Sequence, residues 1–347
     1  MHRVYVLGAG ASRALNSRAP LMKDLLRIGI NFSQGDRPPS PSTKSAHRVK
    51  EFISEFYSPL NFTNILPPFE DVLSQVDYCI VNNIPLSKKY SVDELRSLRK
   101  DLIYILGRAI QHETNHQTDH ALVGTFFNNL DQHTDTIISL NYDLIIDNGF
   151  RDFFGFVNYG VTMRNSVHFR PQYPPKLTLY KLHGSLNWLY CPVCGALETT
   201  EGEKGALKVL TEDINCQSCN TPFEPVLNTP TFLKDYNNSY IVELWRNAQT
   251  QLHHADEVVF VGYSMPDADI VLRMFFTRAL YTNRLLRGHQ NRCKVRVVDY
   301  TPNMDILGGN STKTRYEQLF GEIDFDSTGF IEYISRGCKT QQQIQLQ

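Results

Sequence analysis

Val4-Tyr-Val-Leu7 runs directly into Gly8-Ala-Gly-Ala-Ser12, and this stretch decides the fold. A short β-branched, apolar run ending on two glycines one residue apart reads as a buried strand closed by a tight loop. Such a loop lets backbone approach a ligand or another strand closely. Outward from it, strand signals return at 136–140, 177–182, 258–261 and 295–298. Helical patterns flank the third of these, over 241–253 and 267–280. Short apolar strands alternating with helices predict an α/β fold, a Rossmann-like parallel sheet with helices on both faces.

Between the first two strands the composition changes. A helix is expected from about Pro20, with Leu21, Leu25 and Ile28 on one face. Residues 33–45, with three prolines and several Ser and Thr, read as an exposed loop. From Val49 to about Asp131 the chain reads as an inserted helical subdomain. Ser91-Val-Asp-Glu94 has capping-box spacing, and Leu95, Leu98, Leu102, Ile105 and Ala109 follow at helical intervals. The Gln-rich end, 341–347, reads as a frayed tail.

Composition sets outer bounds. The chain has 347 residues, 41% hydrophobic and 20% charged, values of a globular protein of about two domains. A net charge of −1 offers no global attraction to nucleic acid or to an anionic membrane. No apolar run approaches the ~18 residues of a membrane span, and the N-terminus is too short in apolar residues for a signal peptide. Seven cysteines, four of them in two C-x-x-C pairs, point to a reducing, cytoplasmic setting and a metal site.

Those pairs, Cys191-Pro-Val-Cys194 and Cys216-Gln-Ser-Cys219, stand 21 residues apart. Two such knuckles make a closed tetrahedral zinc ribbon, and four protein ligands leave no open position, so the zinc is structural. His112-Glu-Thr-Asn-His116 matches H-E-x-x-H but lies where the apolar helix face has run out, and reads as a solvated helix end. Gly262-Tyr-Ser-Met-Pro266 suggests a hydrolase elbow, yet Pro266 stands where that turn needs glycine. Ser139-Leu-Asn-Tyr-Asp143 and Lys181-Leu-His-Gly-Ser185 both sit at expected carboxyl ends of strands, where parallel sheets bind ligands. An Asn, an Asp and a His delivered there can orient water, hold an amide and move a proton.

In order and spacing these pieces resemble the sirtuin (silent information regulator) superfamily. Gly8-Ala-Gly-Ala-Ser12 looks like its cofactor loop, Leu140-Asn-Tyr-Asp143 like its Gln-Asn-x-Asp motif, and His183-Gly-Ser185 like its catalytic histidine preceding a zinc module. Gly262-Tyr-Ser264 looks like its Gly-Thr-Ser strand end, and Val297-Val-Asp299 falls where the family turns toward adenosine. The departures concern deacylation. Arg13 to Leu25 lacks the Gly-Ile-Pro-Asp-Phe-Arg segment, Leu140 replaces Gln, and Asn228-Thr-Pro-Thr-Phe-Leu-Lys-Asp-Tyr236 replaces the strand lining the acyl-lysine groove. The pattern is more similar to sirtuin-like domains of bacterial anti-phage systems, which hydrolyse NAD.

The resemblance implies a domain layout: residues 1–32, 131–185 and 225–340 as the NAD-binding domain, 33–130 as the helical insertion and 186–224 as the zinc ribbon. It implies an NAD hydrolase releasing nicotinamide and ADP-ribose, with a protein-lysine deacylase or a non-catalytic NAD sensor as alternatives. Asn141 would orient water or ribose, His183 would be the general base, and Asp143 would hold the nicotinamide carboxamide. Gly8, Ala9, Gly10 and Ser12 would cradle the pyrophosphate, Gly262 and Ser264 would line the adenosine side, and Asp299 would accept from a ribose hydroxyl. Cys191, Cys194, Cys216 and Cys219 would hold zinc. Implied partners are further copies of the chain and a second defence protein such as a HerA-type ATPase.

Overall fold

In chain order the elements are β1 (Arg3–Leu7), α1 (Ala9–Leu15), α2 (Met22–Asn31), α3 (Pro41–Phe56), α4 (Phe69–Val81), α5 (Val92–Thr114), α6 (His120–Asn128), β2 (Thr136–Ser139), α7 (Ile145–Phe154), β3 (Leu179–Lys181), β4 (Gly184–Tyr190), β5 (Leu197–Thr199), α8 (Lys204–Lys208), β6 (Glu224–Leu227), α9 (Ser239–His254), β7 (Glu257–Val261), α10 (Ile270–Arg287), β8 (Lys294–Val298), α11 (Thr312–Phe320), β9 (Asp324–Asp326) and α12 (Phe330–Gln345). The structure, a computed structural model, describes residues 1–32, 40–57, 66–115, 117–164, 176–200, 204–212, 214–228, 239–267, 269–288, 292–301 and 311–345.

Two compact units divide the chain. The first comprises Met1–Ser17, Gln117–His183 and Asn237–Gln347. It holds a six-stranded sheet in the order β3-β2-β1-β7-β8-β9, every neighbouring pair parallel. Counted along the chain this is 3-2-1-4-5-6, a doubly wound sheet whose winding reverses beside its first strand. Val4 to Leu7, all of β2 and all of β7 are buried at successive positions. Successive strand side chains point to opposite faces, so both faces of this sheet are covered. β9 is a polar edge strand, Asp-Phe-Asp, without the apolar run that marks the others; Arg296 Nε on β8 donates to Asp324 Oδ2 across that edge at 2.9 Å.

The second unit comprises Arg18–His116 and Gly184–Tyr236. In it the helices α2 to α5 share a core with α8 and a three-stranded antiparallel sheet, β5-β4-β6. α5 buries Leu95, Leu98, Leu102, Ile105 and Ala109, the stripe legible in its sequence, and Ser91 caps it by accepting from the Glu94 N–H at 3.3 Å. Gly107 lets α5 close on the side chains of Leu186 and Leu207.

Four local expectations change. The loop foreseen at Gly8 to Ser12 is the start of a helix: Gly8, in an extended conformation, is the N-cap of α1. The loop foreseen over 33–45 contains the start of α3, where Ser40 Oγ accepts from the Thr43 N–H at 3.3 Å and Pro41 occupies the first turn, whose N–H groups lack helical partners anyway. The C-terminal tail is helical as far as Gln345. The helix expected from Pro20 begins at Met22.

Two backbones of the first unit come into close contact where β1 and β7 leave the sheet. The Gly8 N–H donates to Val261 O at 2.9 Å and the Gly10 N–H to Gly262 O at 2.8 Å. Gly262 has φ +58°, and a Cβ there would lie 2.3 Å from Ala11 N. Backbone positions leave no space for it. Gly262→Ala is therefore expected to lower stability by more than ~2 kcal/mol, strain at positive φ and a backbone clash acting together. Gly155 has φ +74°, and a Cβ there would meet no atom within 4 Å, so Gly155→Ala should cost only about 1–2 kcal/mol. Urea midpoints of the two variants check the ordering; equal losses would mean that the close approach is unimportant.

Candidate functional site

The carboxyl ends of β1, β2, β3, β7 and β8 bring the predicted nucleotide-site residues to one edge of the first unit. Gly8 follows β1, Asn141 and Asp143 follow β2, His183 follows β3, Gly262 and Ser264 follow β7, and Asp299 follows β8. The Gly262 N–H donates to Val298 O at 2.9 Å, which ties the last two strand ends together.

At its centre is a directed hydrogen-bond chain. Asn141 Nδ2 donates to Gly8 O and to Ser12 Oγ, both at 2.9 Å. Ser12 Oγ in turn donates to Asp143 Oδ2 at 2.7 Å. The Ile145 N–H donates to the other Asp143 oxygen at 3.1 Å. Asp143 is buried, and burial pushes its carboxyl above the ordinary range while Lys181 and the Ser12 hydroxyl oppose the shift. With both amide protons of Asn141 committed, the polar atom it has left is Oδ1, an acceptor able to orient a water or hydroxyl. The N–H groups of Gly8 and Gly10 are held by β7 and the residue after it, so these glycines serve close backbone approach rather than donation.

His183 is buried, with Nδ1 3.1 Å from Leu140 O. That contact assigns the proton to Nδ1 and leaves Nε2 as the basic nitrogen of the neutral ring. Tyr142 stacks on it, ring centroids 6.0 Å apart. Trp245 Nε1 of α9 donates to Leu182 O at 2.9 Å and fixes the backbone just before the histidine.

Sequence reading misses the support beneath this chain. Lys181, fully buried at the end of β3, donates from Nζ to Asp143 O at 2.5 Å and to Asp147 Oδ2 at 2.9 Å. Tyr159 donates its hydroxyl to Asp147 Oδ1 at 2.5 Å. The only sequence signal is a charged residue inside an apolar strand. A buried ammonium needs a buried carboxylate, and Asp147 on α7 supplies it.

On the adenosine side expected by resemblance, Ser264 is exposed and its carbonyl accepts from Arg315 Nε at 2.8 Å. The Asp299 N–H donates to Asp326 O at 3.0 Å, and burial pushes the Asp299 carboxyl up, against the Thr312 hydroxyl. Residues 229–236, part of the segment that replaces the acyl-groove strand, lie outside the described residues.

The second unit holds the four cysteines. The Sγ atoms of Cys191, Cys194, Cys216 and Cys219 all lie within 4.8 Å of one another, with Cys191 to Cys219 at 3.3 Å and Cys194 to Cys216 at 3.6 Å. Zinc–sulfur bonds of about 2.3 Å in a tetrahedron imply sulfur spacings of about 3.8 Å, so the donor set fits a zinc ion. Two matching knuckles build it. The Gly195 N–H donates to Cys191 O at 2.9 Å, and the Asn220 N–H donates to Cys216 O at 2.8 Å. Gly195 and Asn220 both take positive φ, +68° and +55°. Hydrogen bonds from Thr221 hold the Cys219 thiol down to about 6, favouring the thiolate. Among the described residues this is the only cluster of three or more metal-binding side chains. His112 is exposed beside Glu113 and His116 lies outside the described residues. No described helix is long and apolar enough to cross a membrane.

Residues 135–292 match the family model of a SIR2-like domain. Among solved structures, this chain is similar to a Sir2 homologue in complex with NAD, at 13% identity over 99% of this chain and 90% of that one, with a TM-score of 0.42. It is similar to Sir2 with a p53 peptide and NAD+, at 13% identity, 98% and 93% coverage and a TM-score of 0.39. It is also similar to Sir2Tm bound to a propionylated peptide, at 14% identity, 98% and 93% coverage and a TM-score of 0.38. No curated protein matches the chain.

The buried ion pair and the cysteine cluster can each be tested by stability. Lys181→Met should cost roughly 3–5 kcal/mol by denaturant unfolding, since Asp147 is left buried without its cation, while adding Asp147→Leu should recover much of the loss. A double variant as unstable as the single would remove the ion pair as the cause. Elemental analysis should find about one zinc per chain, and Cys216→Ser should lose the metal and lower the melting temperature. Metal-free protein of undiminished stability would contradict this.

Proposed function

We propose, from the match of residues 135–292 to the family model of a SIR2-like domain, that the chain belongs to the sirtuin superfamily, binds NAD at the carboxyl edge of its parallel sheet and hydrolyses it. The nicotinamide–ribose C–N bond breaks, water supplies the new C–O bond, and nicotinamide, ADP-ribose and a proton are released. The observation that carries the reading is the chain Asn141–Ser12–Asp143 beside His183, on a doubly wound sheet at its switch point.

The transition state of this reaction is oxocarbenium-like, so the site must position water more than supply a strong nucleophile. Asn141 Oδ1 accepts from the water or from a ribose hydroxyl. His183 Nε2 takes the proton as general base. Asp143 faces the carboxamide, and Gly8, Ala9, Gly10 and Ser12 border the pyrophosphate, the glycines by their lack of side chains. Gly262 and Ser264 border the adenosine side, and Asp299 accepts from its ribose. A zinc held by Cys191, Cys194, Cys216 and Cys219 would supply rigidity to the second unit and no chemistry, because four protein ligands would leave no open position. The missing deacylase segments favour hydrolysis over acyl transfer. Resemblance to anti-phage domains supports a defence role, with NAD loss gated by self-assembly or by a second protein such as a HerA-type ATPase.

Purified protein given NAD alone should yield nicotinamide and ADP-ribose by chromatography. His183→Ala should slow this by about 10²-fold or more while the fold survives. Asn141→Ala should be similarly slow but still bind NAD by calorimetry. Product formed only with an acylated peptide, as O-acyl-ADP-ribose, would instead mean a deacylase, and NAD bound without turnover would mean a sensor.

A further inference from the structure

α10 buries Leu272, Phe276, Ala279, Leu280 and Asn283 and packs on α9 and α11. Its other side carries Ile270, Met274, Tyr281 and Leu285, which are 63%, 63%, 57% and 65% exposed. At 3.6 residues per turn these four fall within a strip about 60° wide along one side of the helix. Scattered apolar residues on a surface need no explanation, but an aligned strip marks a contact.

The strip is symmetric about its own centre. Ile270 and Leu285 are equidistant from the midpoint between Thr277 and Arg278, and so are Met274 and Tyr281. Antiparallel packing about a two-fold axis pairs each position with the one equidistant from the midpoint on the second copy, so a strip with this symmetry meets itself apolar to apolar. Laid antiparallel across an axis at that midpoint, Ile270 meets Leu285 of the second copy, Met274 meets Tyr281, and Thr277 meets Arg278. An antiparallel pair also opposes the two helix dipoles and brings the exposed Arg284 of each copy toward the end where Asp267 and Asp269 precede the other's helix. Asp267 and Arg287 are paired within their own chain, with Arg273 and Asp256.

We propose that α10 is the contact of a two-fold homodimer, in which a second copy of this chain lays its own α10 antiparallel along this strip. With Val271, 37% exposed, beside it, the strip is a single row of apolar side chains along one helix, which places the contact at the small end of specific interfaces. The dimer is accordingly concentration-dependent.

The test is light scattering and sedimentation velocity of the whole chain from about 1 to 100 μM, the range in which a micromolar contact shifts. The mass should move from one copy toward two. Met274→Glu and Tyr281→Lys should each weaken association at least ~10-fold, with circular dichroism and melting temperature unchanged because both positions are exposed. Combining Met274→Glu with Tyr281→Lys in one chain should restore it, because each new carboxylate then faces a new ammonium of the second copy. A monomer at every concentration overturns the proposal. So does association indifferent to both single variants, and so does a double variant that fails to recover. None of these readouts uses NAD, so their outcome is independent of the proposed reaction.

Discussion

The close backbone approach between the exits of β1 and β7 is the constraint on which the rest of the first unit depends. Hydrogen bonds from Gly8 to Val261 and from Gly10 to Gly262 prevent the two strand ends from separating, and three glycines permit the contact. Because β1 is held there, α1 starts at once, one residue after the strand. That start sets Ser12 one turn along, within reach of both Asn141 and Asp143 from the neighbouring strand exit. The residues proposed to handle the nucleotide are thus ordered by a sheet junction, and the junction exists only where side chains are absent.

A second layer of support comes from charge. Lys181, Asp147 and Tyr159 form a buried trio, and its ammonium also holds the Asp143 carbonyl. An ion pair of this kind adds little to net stability compared with an apolar trio of equal volume, but it has one good geometry. Its contribution here is direction. It fixes where the chain turns between β2 and α7, and therefore where Asn141 and Asp143 point.

Much of this is legible in the sequence, and the limits are physical. Strands β1, β2 and β7 are visible because buried parallel strands carry near-continuous apolar runs, β3 and β8 because of the apolar and β-branched residues in and around them, and α5 because its stripe has helical period. The cysteine spacing reveals the metal cluster because two knuckles are local objects. Lys181 and Asp147 lie 34 residues apart and meet only after β3 pairs with β2, so no local pattern reveals them. β9 escapes because an edge strand with solvent on one side needs no apolar run. That the helices α2 to α5 and the cysteine-bearing sheet share one compact unit is equally hidden, since Gly107, Leu186 and Leu207 meet across segments that sequence order separates. α1 reads as a loop because its glycines outweigh the Ala, Ser, Arg and Leu that follow.

The direction of the hydrogen bonds says more about the site than the residue types do. An asparagine, a serine and an aspartate near one another could be wired in several ways. Here the donors run one way, from the Asn141 amide through the Ser12 hydroxyl to the Asp143 carboxylate, and the chain ends on a group whose burial would otherwise favour its protonation. Each member therefore has a set orientation before any ligand arrives. Asn141 keeps Oδ1 as an acceptor, and His183 is oriented by its Nδ1 contact with the Leu140 carbonyl. In the reaction proposed above, water must be aimed at an electron-poor carbon rather than made more reactive, and side chains oriented in advance serve that need.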